Sequence, residues 1–380
     1  MKKIIFDARL ISGDYSGIAR YTYSLLSGLL EQVKLYDRLL ILLDKNENYQ
    51  FNGHYQNLTL KLNEKSSLVL IDAPLFSLKH HLNVSRFVNK SGTCLYFYPH
   101  FDLPCFIRNK SVFVVHDLLP YIVPNYFVKW AWMKKQYVQI TMHKALKRHN
   151  STCITVSKST RKELLKSFGD KFHSKTNLVY ETAPLSTESL SIEPINSSQK
   201  KGKIVTRSNY LLYVGNRRPH KNLEWLITVF RRLKSEFNYS GKLLIVGEKK
   251  NWKTNIEKLV SDDTNIQIVN QVSDHELKQL YGRMDALFYP SLHEGFGLPI
   301  VEAASHGKPI ITSDRSATKE IAPPWALLIN PEDEHYDQVA KKIANYLEES
   351  LIIEPKNYSF LQLTWQEIAR DIFEPALLNE

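Results

Sequence analysis

Short apolar runs of strand length recur along the whole chain, separated by polar and amphipathic stretches. In the first half they lie at residues 2–8, 39–43, 58–62, 68–71, 95–98, 112–115 and 151–156. A second series lies at residues 210–214, 242–246, 266–268, 286–289, 308–312 and 327–329. Stretches with helical periodicity, such as 18–30 and 158–168, fit between several of them. Apolar strands that alternate with helices are typical of parallel sheets covered on both faces, so the pattern predicts an α/β fold.

A polar interval separates the two series of strands. Residues 183–207 are rich in Ser, Pro, Asn and Lys and show neither strand nor helix pattern, which is typical of a linker. A chain of 380 residues is too long for one ordinary domain and suits two. We therefore predict a Rossmann-like N-terminal domain at 1–182, a linker at 183–207 and a second Rossmann-like domain at 208–360.

The strand, loop, helix and strand at residues 286–312 form the most informative interval. The loop holds Gly295 and Gly297, and the helix that follows presents N–H groups without intrahelical partners, which bind anions. Two carboxylates, Glu294 and Glu302, lie near this helix start. Because they would repel a phosphate, they suit the hydroxyls of a sugar or a ribose. The combination indicates a sugar nucleotide, with phosphates on backbone amides and hydroxyls on glutamates.

The run H-E-G-F-G-L-P-I-V-E-A at 293–303 resembles the E-x7-E signature of retaining GT-B glycosyltransferases of family 4. In that family the first glutamate, here Glu294, approaches the transferred sugar, and the second, here Glu302, holds the donor ribose. The resemblance adds four loop residues to the donor site: Gly295, Phe296, Gly297 and Leu298. A structural alternative, in which Glu294 caps the helix and Glu302 is a solvated helix residue, stays open.

Two motifs in the first half resemble the same family. The run H-D-L-L-P begins at His116, directly after the strand at 112–115, and resembles the family's H-D-x-x-P, whose histidine lies over the donor sugar. The run G-I-A-R-Y is similar to the family's phosphate loop G-I-G-R-Y and keeps its first glycine, Gly17. The alternatives are a structural histidine that closes the strand and a plain turn glycine.

The loop N-R-R-P-H-K at 216–221 departs from the family pattern at one position. Family members carry an arginine directly after the strand-ending glycine and a lysine five residues further on, and both grip the pyrophosphate. Lys221 matches the lysine, whereas Asn216 stands at the arginine position. We therefore predict that Arg217 binds the phosphates, with Arg218 or neither as alternatives. The loop is similar to that of bacterial mannosyltransferases acting on surface polysaccharides, which favours GDP-mannose.

The resemblance implies a GT-B architecture in which two doubly wound Rossmann-like domains face each other across a cleft. The nucleotide sugar would lie on the second domain, the acceptor on the first, and a C-terminal helix at 361–380 would return to the first. A hexose would pass to a glycan or lipid-linked acceptor with its anomeric configuration retained, in polysaccharide or lipopolysaccharide biosynthesis. The GDP- or UDP-sugar donor is a substrate, and we expect no cofactor.

Other functions share parts of this pattern. No D-x-D run and no His, Cys or Asp cluster with ligand spacing occurs in the sequence, so we expect no metal at the pyrophosphate. A GT-B-fold epimerase or phosphorylase would have the same architecture. A non-catalytic, basic, polyanion-binding subunit would use the charge of the first half and would leave the paired glutamates unexplained.

Charge is distributed unevenly along the chain. Residues 1–180 hold 26 Lys and Arg against 12 Asp and Glu, whereas residues 181–380 hold 24 against 27. The stretch 126–148 mixes aromatic residues with lysines and contains no acid. This composition favours contact with an anionic membrane or a phosphate-bearing acceptor, and core packing with a solvated basic edge is the alternative. We predict peripheral contact through this stretch and no nucleic-acid partner.

The cysteines and the N-terminus bear on localisation. Three cysteines lack metal-ligand spacing and suit a reducing cytosol. An acid at residue 7 interrupts the apolar stretch that a signal peptide needs, and no apolar run approaches membrane-spanning length. We therefore expect a cytoplasmic protein, peripheral on the inner face of the cytoplasmic membrane.

Overall fold

One parallel sheet forms the centre of each half of the chain in the computed structural model. The structure describes residues 2–12, 17–47, 58–122, 131–183, 209–247, 256–270, 272–349 and 353–378. The first compact unit comprises Met1–Pro184 with Leu363–Glu380, and the second comprises Leu185–Gln362. The predicted linker beyond Ala183 and residues 126–130 of the predicted basic stretch lie outside the described residues.

Seven parallel strands form the sheet of the first unit. They are β1 (Lys3–Asp7), β2 (Arg38–Asp44), β3 (Ser66–Ile71), β4 (Leu95–Tyr98), β5 (Lys110–Val115), β6 (Ser151–Thr155) and β7 (Thr176–Leu178). Their spatial order is β3-β2-β1-β4-β5-β6-β7, so the direction of winding reverses between β1 and β4. Ile4, Ile5 and Phe6 of β1 are all fully buried, because the strand lies inside the sheet with both faces covered. Ligands of open α/β sheets gather outside the carboxyl ends of strands at such a reversal.

In the described residues of the first unit, helices lie between the strands and before the linker. They are α1 (Gly17–Glu31), α2 (Ser85–Lys90), α3 (Leu119–Ile122), α4 (Ala131–Lys147) and α5 (Lys158–Phe168). A π-helical turn precedes α2 at His80–Val84, and 3-10 turns lie at Arg9–Ser12 and Asp170–Lys175. Ser157 caps α5 by accepting a hydrogen bond from the amide of Thr160.

The second unit repeats this design with six parallel strands. They are β8 (Tyr210–Val214), β9 (Lys242–Val246), β10 (Ile266–Val269), β11 (Ala286–Tyr289), β12 (Ile310–Ser313) and β13 (Leu327–Ile329). Their order is β10-β9-β8-β11-β12-β13, with the reversal between β8 and β11. The helices are α6 (Leu223–Phe237), α7 (Ile256–Val260), α8 (Asp274–Arg283), α9 (Leu298–Ser305), α10 (Ser316–Ile321) and α11 (Tyr336–Glu348), and 3-10 turns lie at Pro219–Lys221, Pro355–Asn357 and Ser359–Leu361. The prediction of two Rossmann-like α/β domains is confirmed.

The predicted strand at 58–62 is wrong. Residues 58–60 form a helical turn, closed by the amide of Lys61 on the carbonyl oxygen of Leu58 at 3.0 Å. In a strand, Leu58 and Leu60 would point to one face, but Leu58 is fully buried and Leu60 is 85% exposed. The alternation of apolar and polar residues at 58–62 is therefore not accompanied by pairing with a neighbouring strand.

The C-terminal helix α12 (Trp365–Leu378) packs against α1 in the first unit. Gly28 lies at the closest approach, because a Cβ atom there would clash with the carbonyl oxygen of Trp365. The indole N–H of Trp365 also donates to the carbonyl oxygen of Ala183 at 3.4 Å. The close backbone contact at Gly28 therefore allows the last helix to sit on the first unit.

Replacing Gly28 by alanine should lower the free energy of unfolding of the first unit by about 3 kcal/mol, because the obstacle is backbone and cannot rotate away. Thermal or urea unfolding measures this change. Gly17→Ala is the matched control on the same helix, since no described atom lies within 4 Å of a Cβ there. Equal stabilities of the two variants would contradict the packing described.

Candidate active site

Gly297 shapes the loop between β11 and α9. Its φ of +111° lies in the left-handed region, which favours glycine, and an added Cβ would lie 3.3 Å from Cδ1 of Ile300. The helix begins immediately afterwards at Leu298, with Pro299 in its first turn. Pro299 has no N–H and the amide of Ile300 donates to the carbonyl oxygen of Gly297 at 2.9 Å, so the predicted contact of this helix start with an anion rests on the amide of Leu298 and the loop before it, and stays a prediction.

Lys221, Tyr289 and Glu294 form a hydrogen-bonded network at the carboxyl edge of the second sheet. Nζ of Lys221 donates to Oε1 of Glu294 at 2.5 Å and to the hydroxyl of Tyr289 at 2.9 Å. The Tyr289 hydroxyl donates to the same Glu294 oxygen at 2.7 Å. The Lys221 and Glu294 side chains are each 10% exposed. This Lys221–Tyr289–Glu294 network therefore places opposite charges side by side in a largely desolvated position.

The pKa values of the network follow from burial and neighbouring charge. Burial is the largest single effect and raises the pKa of Glu294, but the charge of Lys221 and the other neighbouring charges and hydrogen bonds together lower it by more, so the pKa lies below its usual value. Burial and then the charge of Lys221 lower the pKa of His220 to about 3. At neutral pH the site thus holds a carboxylate at Glu294 and a neutral imidazole at His220.

Backbone contacts join the two loops that carry this network. The amide of Leu292 donates to the carbonyl oxygen of His220 at 2.8 Å. Asn222 caps α6 with a φ of +60°, and its side-chain amide donates to the carbonyl oxygen of Pro331 at 2.7 Å. These bonds fix the loop after β8 relative to the loop after β11. The two loops are close because β8 and β11 are adjacent strands of the sheet.

Glu302 is fixed inside α9 and is 1% exposed. The hydroxyl of Tyr281, on α8, donates to Oε2 of Glu302 at 2.6 Å. The Tyr281 ring stacks on His306, with centroids 5.6 Å apart. The structural alternative raised by the sequence is wrong for both glutamates, because Glu302 is not solvated and Glu294 bonds to Lys221 and Tyr289 instead of capping the helix.

Arg217 does not join this network. Its side chain is 1% exposed and donates to Oε1 of Glu257 at 2.6 Å, to the carbonyl oxygen of Gly247 at 3.0 Å and to Oδ1 of Asn270. The guanidinium therefore braces the carboxyl ends of β9 and β10. These contacts use Nη1 and Nη2 of Arg217, whereas its buried Nε has no hydrogen-bond partner among the described residues, and the predicted contact of Arg217 with the donor phosphates stays a prediction. The amide of the alternative, Arg218, donates to Oδ1 of Asn216 at 3.3 Å.

The other predicted loop residues differ in their surroundings. Gly295 is buried, and Leu298 is half-buried. Phe296 is 5% exposed, and its ring packs edge-on against Phe360 with centroids 5.9 Å apart. The packing of Phe296 anchors the loop, and the contact of these residues with a donor stays a prediction.

His116 follows β5 and is held from both sides within the first unit. Its Nδ1 lies 3.3 Å from Oε1 of Glu181, and its Nε2 lies 3.0 Å from the carbonyl oxygen of Pro99. The ring of Tyr21 packs edge-on against it at 4.7 Å. Gly17 is the exposed first residue of α1. The donor contacts predicted for His116 and Gly17 stay predictions.

Sequence reasoning missed two tyrosines of the site. Tyr289 is the last residue of β11, directly before the loop. A polar residue at the end of a buried strand could have pointed to Tyr289 as a site residue. Tyr281 reaches Glu302 from another helix, and nothing in the sequence points to that contact.

The family model of glycosyl transferases group 1 matches residues 194–359, which contain Lys221, Glu294 and Glu302. The O-antigen chain mannosyltransferase RfbU of Salmonella typhimurium is 30% identical over 269 residues, which are 70% of this chain and 68% of that protein. The chain belongs to the glycosyl transferases group 1 family. The O-antigen chain mannosyltransferase B of Escherichia coli is 25% identical to this glycosyltransferase over 383 residues, covering 97% of this chain and 93% of that protein.

Among solved structures, Anabaena HepE in complex with UDP and glucose superposes on this glycosyltransferase with a TM-score of 0.64 and 17% identity, covering 98% of this chain and 96% of that one. The likeness shows that the group 1 glycosyltransferase has the GT-B fold, which the sequence predicted. In the part of the chain that the structure describes, every helix is too short or too polar to cross a bilayer.

Proposed function

We propose that this glycosyltransferase transfers a hexose, mannose, from a nucleotide sugar to a glycan or lipid-linked acceptor in surface-polysaccharide synthesis, with retention of configuration and without a metal. The Lys221–Tyr289–Glu294 network beside the start of α9 carries the proposal. The two relatives named O-antigen chain mannosyltransferases support the choice of mannose and of a polysaccharide product.

The network supplies two different interactions to a bound donor. Lys221 and the backbone at the Gly297–Leu298 start of α9 would face the negative charge that develops on the departing nucleoside diphosphate, and stabilising that charge accelerates transfer. Glu294 accepts hydrogen bonds from hydroxyls of the transferred sugar, and Glu302 accepts them from the ribose. Because Glu294 is already paired with Lys221, we propose that the acceptor's proton moves to a phosphate oxygen of the leaving diphosphate on the same face as attack.

Thermal unfolding with nucleotide sugars tests the donor. GDP-mannose at a hundredfold excess over its Kd should stabilise the protein by roughly 2.7 kcal/mol, because it binds only the folded state. UDP-glucose and ADP-glucose serve as matched comparisons. Stabilisation by UDP-glucose alone would refute mannose as the sugar, and stabilisation by no nucleotide sugar would refute the donor site.

We expect transfer to survive chelation. The positive charge at the proposed diphosphate position comes from Lys221, which is part of the chain and unaffected by EDTA. Initial rates of transfer from GDP-mannose with and without EDTA should agree within error. Loss of activity in EDTA that manganese or magnesium restores would show a metal-dependent enzyme.

We further propose that α4 contacts an anionic membrane. Trp132 is 73% exposed, Met133 55% and Ile140 52%, so these apolar side chains are not part of the core. The helix carries four lysines and no acid: Lys134, Lys135, Lys144 and Lys147. The helix does not segregate apolar and polar residues onto opposite faces, so the proposal rests on exposed apolar side chains beside lysines, and each lysine near an anionic surface contributes about 1 kcal/mol.

Co-sedimentation with liposomes tests this contact. The wild type should bind phosphatidylserine-containing vesicles at low salt and dissociate at high salt, because screening shortens the reach of lysine charges. Replacing Lys135, Lys144 and Lys147 by glutamine should abolish binding. The matched control replaces three exposed lysines of the same unit, Lys162, Lys166 and Lys171, and should keep it. A wild type that ignores these vesicles at low salt would exclude the membrane contact.

A further inference from the structure

A histidine and an aspartate that the proposed transfer does not use lie at the carboxyl end of β4. Nδ1 of His100 lies 2.6 Å from Oδ1 of Asp102, and Asp102 is fully buried. The Tyr98 hydroxyl donates to the same oxygen at 2.8 Å, and the Tyr137 hydroxyl donates to the other at 3.4 Å. Asp102 is therefore held from several sides, and it fixes the plane of the His100 ring.

The hydrogen bonds define which nitrogen of His100 is available. Burial raises the pKa of Asp102, but the contact with His100 and its other neighbours lowers it by more, so Asp102 is a carboxylate at neutral pH. A carboxylate only accepts hydrogen bonds, so Nδ1 of His100 is the donor. Among the described residues Nδ1 is the ring nitrogen with a hydrogen-bond partner, and the side chain is 10% exposed. Because Nδ1 is taken by Asp102, Nε2 is the ring nitrogen that a ligand would contact.

An exposed aromatic ring lies beside the His100 ring. Phe76 packs edge-on against His100, with centroids 5.5 Å apart, and is 55% exposed. Its φ is +57°, a left-handed conformation that non-glycine residues rarely adopt and that costs roughly 1–3 kcal/mol. Strained residues of this kind cluster at ligand sites. The pair offers one polar atom beside one apolar face, which are the two features that a sugar ring needs.

The location agrees with a substrate site. His100 follows β4, and His116 follows the neighbouring strand β5. Nε2 of His116 lies 3.0 Å from the carbonyl oxygen of Pro99, the residue directly before His100. β4 also borders the reversal between β1 and β4, where α/β sheets bind their ligands.

We propose that His100 binds the acceptor. Its Nε2 accepts a hydrogen bond from a hydroxyl of the acceptor's terminal sugar, Asp102 orients the ring, and Phe76 packs against the C–H face of that sugar. This assignment rests on the proposed glycosyl transfer and adds the acceptor's chemical class, a pyranose presented by a glycan or lipid. It makes the first unit the source of acceptor specificity.

Acceptor kinetics test His100. Octyl glycosides of mannose, glucose, galactose and N-acetylglucosamine are the probes, with GDP-mannose as donor. His100→Asn keeps a donor group for Asp102 and removes the Nε2 acceptor, so the KM of the best probe should rise at least tenfold while the donor Kd stays unchanged. His143→Asn is the matched control in the same unit and should leave both constants unchanged.

The possible results of these kinetics distinguish failure of the His100 assignment from failure of the proposed function. An unchanged acceptor KM in His100→Asn overturns the assignment, and so does a loss of donor binding together with acceptor binding, which indicates a role in folding. A wild type that neither transfers to any probe nor hydrolyses GDP-mannose overturns the proposed function, and the assignment falls with it.

Phe76→Gly provides a second test, whose expected result would not arise if Phe76 had only a structural role. Glycine adopts the φ of +57° without strain, so the melting temperature should stay equal or rise, while the acceptor KM rises severalfold because the ring is lost. Phe106→Gly, at a ring that is 57% exposed in the same unit, should leave the acceptor KM unchanged. A Phe76→Gly variant with an unchanged KM contradicts the packing of this ring on the acceptor.

Discussion

Replacing Lys221 by methionine should lower the turnover number at saturating donor about 100-fold or more, because the cation that faces the departing diphosphate is removed from a desolvated site. Initial rates of GDP-mannose turnover measure this effect. Lys308→Met is the matched control, since Lys308 is a half-buried lysine of the same unit outside the network. Full turnover in Lys221→Met would remove Lys221 from the mechanism.

The same change should also destabilise the second unit. With Lys221 gone, Glu294 stays as a buried carboxylate without its cation, which costs about 3 kcal/mol of unfolding free energy. The double variant Lys221→Met with Glu294→Gln removes the unpaired charge and should recover most of the stability without recovering turnover. This separation distinguishes loss of a catalytic cation from loss of folded protein.

Replacing Glu302 by alanine should weaken donor binding by 10-fold to 100-fold, because hydrogen bonds to a charged group contribute about 1.5–3 kcal/mol each. Glu294→Gln should chiefly lower turnover, since Glu294 contacts the sugar that moves. Titration calorimetry with GDP-mannose gives the Kd, and initial rates give the turnover number.

The comparison between Glu302→Ala and Glu294→Gln tests whether the two glutamates have separate roles. Tyr281→Phe serves as the control, because it removes one hydrogen bond to Glu302 and keeps the carboxylate, so the donor Kd should change only severalfold. Small and equal effects of Glu302→Ala and Glu294→Gln on both constants would defeat the assignment of separate roles.

The fold was largely predictable because buried parallel strands are continuous apolar runs. Strands that alternate with helices predict a parallel sheet in each unit, and β1 and β8 are visible as apolar runs in the sequence, whereas the strand order comes from the structure. Two strand assignments failed, each for its own reason. Residues 58–62 alternate like a strand but lack a partner strand, and β7, of three residues with one buried side chain, is too short to leave a pattern.

Part of the predicted site is brought together in the structure, since Lys221 contacts Glu294. Glu294 and Gly297 were singled out by a glycine-containing loop before a helix, and Lys221 by the resemblance to the family's phosphate-binding lysine. The contacts of Arg217 within the protein were not predictable, because its acceptors Glu257 and Asn270 lie 40 and 53 residues away and sequence spacing does not reveal them. The His100 and Asp102 pair was missed for the same reason, since a histidine two residues before an aspartate in a loop carries no chemical signal until the fold surrounds it.

The anomeric configuration of the product tests the central claim most directly. The protein is incubated with GDP-α-mannose and the best octyl glycoside, and the one-bond carbon–proton coupling at the new anomeric centre is measured by NMR. A donor phosphate oxygen that accepts the proton on the face of attack requires an α-linked product, so we predict the coupling of an α-mannoside. The coupling of a β-mannoside would contradict the account.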